Sequence, residues 1–421
     1  MSPIVLLTTL CIAQVLAMTS FANFAALLPD FVVLWDLSNT EAGWIGGIYF
    51  AGYVIAVPLL VGLTDTVDAK RVYLFSIVVG VVGSFGFALL AEGFWSAMVF
   101  RFLSGIALAG TYMPGLQILN DRLPEASRQR MLPWYLSAFS LGTAVSFYMS
   151  GWLMARLAWP SVFLVAGVAQ AACLLLVLLA VVSRRPTPNS GNDRHPLDFR
   201  PVFTNRAALA YTWGYTGHTY ELFAYRAWIV AFLVFAAAVS GTVAGTEAIT
   251  GYAALFSLIG MPVSVIGAQL ALRGDRCKTV STVMVLSVIV GMSLGFIGTA
   301  PFVIVVVVAG LYSGLIMADS AALTGGTVAA AREGQRGATL ALHSVMGFSG
   351  GFLGPLAVGL VLDLAGGRHS SMGWGFAFVA MAAGSLVALA GFRWLLVRRP
   401  VSYTHLRAHE TLRYLVCRLL H

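Results

Sequence analysis

Charge is what this 421-residue sequence has least of: Asp, Glu, Lys and Arg together make up 10% of it. A soluble domain carries about a quarter, and a disordered chain needs high charge with few apolar residues, so both classes are excluded. Cysteine is scarce too, with four in the chain. Cys11 and Cys173 lie in apolar runs, Cys277 lies in a polar connection and no C-x-x-C spacing occurs, so neither a disulfide scaffold nor a metal site is expected. The sequence also lacks a Walker loop, an H-E-x-x-H pair and a strand-borne G-x-G-x-x-G. ATP hydrolysis, zinc chemistry and a dinucleotide drop out with them, and no cofactor is expected.

What the sequence has in abundance is apolar: 59% of its residues are hydrophobic, before its 44 glycines are counted. Each bilayer crossing takes roughly 20 such residues, which leaves material for about twelve helices and little for a soluble domain. Residues 401–421, VSYTHLRAHETLRYLVCRLLH, resemble an in-frame translation of a sequencing-library adapter and are set aside as a non-native tail. Ahead of it, long apolar runs occupy residues 4–28, 42–63, 72–91, 94–118, 131–155 and 160–182, then 207–239, 248–272, 280–297, 301–323, 338–362 and 373–397. The expected fold is an all-α membrane protein of twelve transmembrane helices. The first run has no positive n-region and is too long for a cleaved signal peptide.

Basic residues decide the orientation. The even-numbered connections and the stretch after the last run carry 17 Lys or Arg, the odd-numbered connections only Arg156 and Arg368. The positive-inside rule therefore places the even loops and both termini in the cytoplasm, most simply at a plasma (inner) membrane, and a nucleic-acid partner is not needed to explain the net charge of +8. The one long polar segment, residues 184–206, reads as a cytoplasmic linker between an N-terminal six-helix bundle, residues 1–183, and a C-terminal one, residues 207–400. A faint repeat supports two pseudo-symmetric halves. Ser104 and Gly105 recur as Ser313 and Gly314, and Phe139, Ser140 and Gly142 recur as Phe348, Ser349 and Gly351, both 209 positions on.

With these features the chain resembles the major facilitator superfamily over its length ahead of the tail. The most specific match is the loop between the second and third runs, where the family pattern is G-x-x-x-D-R-x-G-R-R. Here Gly62, Asp65, Lys70 and Arg71 stand near the matching places, while Thr66 replaces an Arg and Asp68 the second Gly. The second-half copy keeps Gly267, Arg273, Gly274, Asp275 and Arg276. The resemblance implies a cytoplasmic gate built from Asp65, Lys70, Arg71, Arg273, Asp275 and Arg276, with Asp65 pairing to a base of the other half. Ordinary positive-inside charge at helix ends is the alternative. Arg101 with Gly105 is similar to a second pattern, R-x-x-x-G, of proton-coupled members. An arginine inside an apolar run costs several kcal/mol unless it faces a cavity or a partner, so Arg101 is expected to face inward rather than snorkel. The exporter pattern G-x-x-x-G-P is missing from the fifth run, where Ser146 and Phe147 stand, and occurs on the eleventh as Gly350, Gly354 and Pro355. That displacement speaks against export without settling the direction.

The seventh run is the most polar. At about 100° per residue, Tyr211, Gly214, Tyr215, His218, Glu221 and Tyr225 form one stripe with Arg226 at its edge, which is expensive against lipid and is expected to line a cavity. Glu221 can carry a proton and His218 titrates near neutrality, so the stripe offers groups that couple protons to solute movement. The alternative is that Glu221 and Arg226 are partners in a fixed intrahelical or interhelical network with no transport role. Asn23, with Gln14, Thr19 and Ser20, makes the first run partly polar and serves either solute or helix packing. Asp319 is expected near the cytoplasmic end of the tenth run, as a gate residue. His343 is expected to be a hydrogen-bonded structural histidine.

Gly347, Ser349 and Gly351 spell G-x-S-x-G, so an intramembrane serine hydrolase using Ser349, with His218 or His343 as base, is a competing class, beside a non-transporting receptor. A nucleophile elbow needs a strand before its serine, and none is expected here. The reading that fits most residues is a monomeric, proton-coupled secondary transporter of a small solute, without catalytic residues or metal, working by alternating access.

Overall fold

The computed structural model describes residues 2–184 and 199–397, and among them there is no strand. The adapter-like tail and most of the expected linker lie outside the described residues. The long helices are α1 (Pro3–Ala17), α2 (Asn39–Leu63), α3 (Ala69–Leu90), α4 (Phe94–Arg122), α5 (Glu125–Met154), α6 (Pro160–Ala180), α7 (Arg206–Val239), α8 (Thr246–Arg273), α9 (Arg276–Leu294), α10 (Phe302–Ala318), α11 (Arg336–Leu364) and α12 (Ser371–Val397). Their starts follow the capping rules. Ser38 and Glu41 close a capping box on α2, Asp68, Asn205 and Asp275 cap α3, α7 and α9, and Pro160 opens α6.

Among the described residues, 11 helices are long and apolar enough to cross a membrane. The one expected crossing outside that set is α5, a helix of 30 residues. Its low apolarity has a packing reason. Ser146 and Ser150 bond to α1, and Gly142 and Gly151 admit Met18 and Thr250. Small and hydroxylated residues there let neighbouring backbones approach closely. Large apolar side chains elsewhere, among them Trp95, Leu179, Val303 and Leu364, point outward and fit a lipid-facing surface.

Two helices are interrupted. α1 ends in a 3-10 turn, Met18–Ser20, followed by short helical pieces Asn23–Ala26 and Leu28–Leu34. α10 breaks at Asp319 and continues as Ser320–Ala330. Such breaks are tolerated at membrane depth where other groups satisfy the freed backbone.

The helix contacts repeat with a shift of six. α1 packs on α5 and α6 as α7 packs on α11 and α12; α2 meets α4 as α8 meets α10; α3 meets α4 and α6 as α9 meets α10 and α12. Between the halves, α2 packs on α11 and α5 on α8. The repeated residues occupy matching contacts: Gly105 faces α2 and Gly314 faces α8, Gly142 faces Met18 and Gly351 faces Phe223. The two glycines of the first pair differ in tolerance. A methyl on Gly105 would overlap the Tyr49 carbonyl oxygen, whereas at Gly314 the nearest atoms, on Ile259 and Val263, stand 3.8 Å away. Gly105→Ala is therefore expected to destabilise by about 1–3 kcal/mol and Gly314→Ala to be nearly neutral, as read from thermal unfolding in detergent. Equal loss in both would remove this account of the R-x-x-x-G spacing.

Candidate functional site

The break in α1 organises the first cluster. Ser146 Oγ accepts from the Ala22 N–H at 2.9 Å and lies 2.8 Å from the Thr19 carbonyl and 2.9 Å from Asn23 Oδ1, one of which takes its proton. Ser150 Oγ is 3.0 Å from the same Asn23 oxygen, and Asn23 Nδ2 donates to the Val162 carbonyl at 3.4 Å. Asn23 thus joins α1 to α5 and α6. Gln14 accepts from Tyr135 at 3.0 Å, again as packing.

Arg101 is buried and faces inward, as its position required. Its Nη1 reaches the Ser20 and Phe21 carbonyls, freed by the break, at 3.4 Å each, and its guanidinium lies over the Tyr49 ring at 4.4 Å. Its Nε has no hydrogen-bond partner. Arg226, on α7, lines the same cavity, with the Phe223 ring 5.9 Å from its guanidinium carbon. One arginine from each half of the chain therefore faces one space, bordered by Phe21, Phe50 and Phe147.

The rest of the seventh-run stripe does not open on that space. Glu221 is buried in a cage of hydroxyls: Ser287 of α9 donates to Oε1 at 3.0 Å, Tyr312 of α10 to the same oxygen at 2.7 Å, and Ser385 of α12 to Oε2. Through these three hydroxyls Glu221 ties four helices together. Glu221 and Arg226 are not partners. Five residues at 100° rotate them about 140° apart around α7, so the two face different neighbours. Tyr225 points to α10, donating to the Ala309 carbonyl at 2.9 Å.

His218 meets Asp319 instead, Nδ1 to Oδ1 at 2.8 Å, with both side chains buried. The pair stands at ion-pair distance without the alignment of a hydrogen bond, as neither atom completes one. This corrects the expected place of Asp319. The helix runs on to Ala330, so Asp319 sits inside the protein at the break in α10, not at the cytoplasmic surface. Tyr215 stacks between His218 and His343, with centroids at 5.4 and 4.1 Å, and His343 Nδ1 lies 3.0 Å from Thr327 Oγ1. His343 is a bonded structural histidine, as expected.

At the end that carries the basic loops the expected gate does not close across the halves. Asp65 is exposed, and among the described residues it has no ion-pair partner; partial desolvation raises its carboxyl above its ordinary value with no cation to offset the shift. Its neighbour Asp68, standing where the family has Gly, is the residue with partners. It caps α3, lies 3.6 Å from Arg122 and accepts from the N–H of Arg184, the first linker residue, at 2.8 Å, with no partner in the second half. Lys70 Nζ donates to the Leu178 carbonyl at 2.8 Å, also within that half. Arg71 and Arg273 are exposed, and Asp275 caps α9 just ahead of a partly buried Arg276. The physical reason is local: at a helix start, backbone N–H groups compete successfully for a carboxylate.

The opposite end is tied. Asp363, near the end of α11, accepts from Asn39 N at 3.1 Å and Nδ2 at 2.7 Å, and from Thr40 N at 2.8 Å and Oγ1 at 2.6 Å. It caps a helix of the other half. Beside it Arg156 and Glu247 form a 2.8 Å ion pair between α5 and α8, the one ion pair joining the halves among the described residues. Asp363, Ser287, Tyr312 and Ser385 had no local signal in the sequence, because their partners lie on distant helices.

The hydrolase constellation is not formed. Ser349 donates to the Val345 carbonyl one turn back at 2.8 Å, inside a continuous helix. His343 is engaged with Thr327, and His218 with Asp319.

Comparison with known proteins places this geometry. A sequence model described as the Major Facilitator Superfamily matches residues 10–325. The colistin resistance protein EmrB of Acinetobacter baumannii is 27% identical over 34% of this chain and 30% of its own length. The 4-hydroxybenzoate transporter PcaK of Acinetobacter baylyi is 26% identical over 37% of this chain and 34% of its own. The matched segment thus spans about a third of each of these relatives. A crystal structure of a bacterial homologue of the human lysosomal transporter Spinster, in an inward-facing and occupied conformation, superimposes with a TM-score of 0.74 over 92% of this chain and 96% of its own, at 14% identity. At that identity the likeness speaks for the fold.

Proposed function

The chain belongs to the major facilitator superfamily, a family of multi-pass secondary transporters and not of enzymes, and from that premise we propose that it moves a small solute by alternating access. In this reading the twelve helices form two six-helix bundles, residues 1–183 and 207–400 joined by the segment 184–206. They rock around the space between Arg101 and Arg226 in the plasma membrane of a monomer, with both termini cytoplasmic. The observation that carries it is the asymmetry of the ties between halves. At the end opposite the basic loops, α2 is tied to α11 by Asp363 and α5 to α8 by Arg156–Glu247. Deeper in the bundle Tyr53 Oη of α2 and Ser344 Oγ of α11 stand 3.2 Å apart, and at the basic end the bonds of Asp68 and Lys70 stay within the first half and the start of the linker. A molecule tied at one end is poised to open at the other.

Protons are the proposed driving ion. Glu221, His218 and Asp319 are ionisable groups buried at membrane depth, where such residues are costly and are retained for a function. The sites proposed to act are Arg101, Arg226, His218, Glu221 and Asp319, with Tyr215 and Tyr225 orienting them and Asn23 holding the break in α1.

The test addresses the tie. Losing a helix cap costs about 0.5–2 kcal/mol, so Asp363→Ala is expected to shift the balance toward the outward-open form by about 2- to 30-fold. A cysteine placed at Ala42, in the chain's cysteine-free background, reports the shift as faster alkylation from outside. Unchanged alkylation would mean that Asp363 does not hold the outer end shut.

A further inference from the structure

The two buried arginines raise a question of charge that the transporter reading leaves open. Fourteen residues line the cavity they share, and none of them is acidic. Among the described residues, no carboxylate stands within ion-pair distance of either guanidinium. Arg101 has the two α1 carbonyls and the Tyr49 ring for partial compensation. Arg226 has the Phe223 ring 5.9 Å from its guanidinium carbon and the phenols of Tyr215 and Tyr225 near it, and no carboxylate. An uncompensated buried cation is strongly unfavourable, and the one acid of the same helix, Glu221, faces away and is held by three hydroxyls. The positive charge is left free.

A second observation gives the shape of what would neutralise it. The arginine cavity itself is narrow, about 30 Å³, but Leu28 and Trp228 also line a neighbouring cavity of about 400 Å³. That second space is bounded by Val32, Val234 and Phe235 and again holds no acid, with Arg368 and His369 at its border. A polar, cationic slot next to a roomy apolar one matches a molecule with an oxyanion at one end and an apolar body at the other.

Resting on the transporter reading, we propose that the solute is an amphiphilic organic anion whose oxyanion head sits between Arg101 and Arg226 and whose apolar body extends past Leu28 and Trp228. Bidentate guanidinium geometry suits carboxylate and phosphate alike. The aromatic rings around the slot keep water away from the pair and favour an apolar body.

The experiment is a charge series on one skeleton, titrated by calorimetry into the full chain in nanodiscs, with empty nanodiscs subtracted. The probes are 4-phenylbutyrate, 4-phenylbutyramide and 4-phenylbutylamine, with acetate as a head without a body and phenyl phosphate as the phosphate arm. The carboxylate is expected to bind at least about tenfold more tightly than amide or amine, and more tightly than acetate; tighter binding of phenyl phosphate assigns the head to a phosphate. Arg226→Gln is expected to abolish the preference for the anion and Arg226→Lys to keep part of it, which separates charge from folding. Binding of amide or amine as tight as the acid overturns the proposal, as does the absence of binding by every probe. Loss in Arg368→Gln with retention in Arg226→Gln overturns the placement of the head. Counterflow of labelled 4-phenylbutyrate in proteoliposomes separates the two readings. Specific binding without counterflow leaves the anion site standing and sinks alternating access, whereas counterflow of the amine or amide with no anion preference does the reverse.

Discussion

Glu221→Gln is expected to leave the protein folded and to remove the pH gradient's power to concentrate solute. With one proton per solute, a gradient of one pH unit is worth about 1.4 kcal/mol, or about tenfold accumulation. In the variant that ratio falls to about one, while solute exchange between equal compartments continues. The geometry explains why glutamine is the informative change. Its carbonyl oxygen still accepts from Ser287 and Tyr312, so most of the cage joining α7, α9, α10 and α12 survives without an ionisable group. Glu221→Leu makes the opposite comparison, because it strands the buried hydroxyls of Ser287 and Tyr312 at roughly 1–3 kcal/mol each, while Ser385 keeps the Gly217 carbonyl, and it is expected to lower the unfolding temperature. If Glu221→Gln keeps full dependence on the gradient and only Glu221→Leu is defective, the carboxylate is a structural knot and the proton travels elsewhere.

His218→Leu is expected to destabilise by about 3–5 kcal/mol, the usual cost of leaving a buried charge without its partner. The stranded group is Asp319, at the break in α10 with no other acidic or basic partner among the described residues. The reverse change, Asp319→Asn, is expected to cost less, because the amide oxygen still offers the imidazole an acceptor. A double-mutant cycle reads this asymmetry directly: the pair of changes together costs less than their sum. Equal costs for the two single variants would mean that His218 and Asp319 are held by their surroundings rather than by each other. The pair stands at a helix break, with Tyr215 stacked between His218 and His343, so it joins α7 to α10 and α11 where the proposed transport mechanism needs movable contacts.

The limits of the sequence can be traced to particular residues. Helical periodicity put Glu221 and Arg226 near one stripe, yet their 140° separation sends one to a hydroxyl cage and the other to the cavity. Asp65 was singled out because the family pattern has an acid there, whereas Asp68, three places on, became the capping and ion-pairing residue. A pattern records residue types at spacings. It does not record which backbone N–H groups are left open at the next helix start. Asp319 was misplaced for a simpler reason: the apolar run ended at Leu323, but the helix continued through small residues to Ala330.

By itself the sequence determined that this chain lives in a bilayer, roughly where its helices run and which residues bear a charge the membrane must tolerate. The faint repeat of Ser104–Gly105 and Ser313–Gly314 even anticipated equivalent contacts in the two halves. These are properties of hydrophobic length and charge, which act along the chain and need no partner. Only the tertiary structure decided that Glu221 belongs to three hydroxyls, His218 to Asp319, and that Arg101 and Arg226 face one space without an acid. Those outcomes depend on helices between 66 and 164 residues apart meeting face to face, and a buried charge takes its meaning from whatever it meets there.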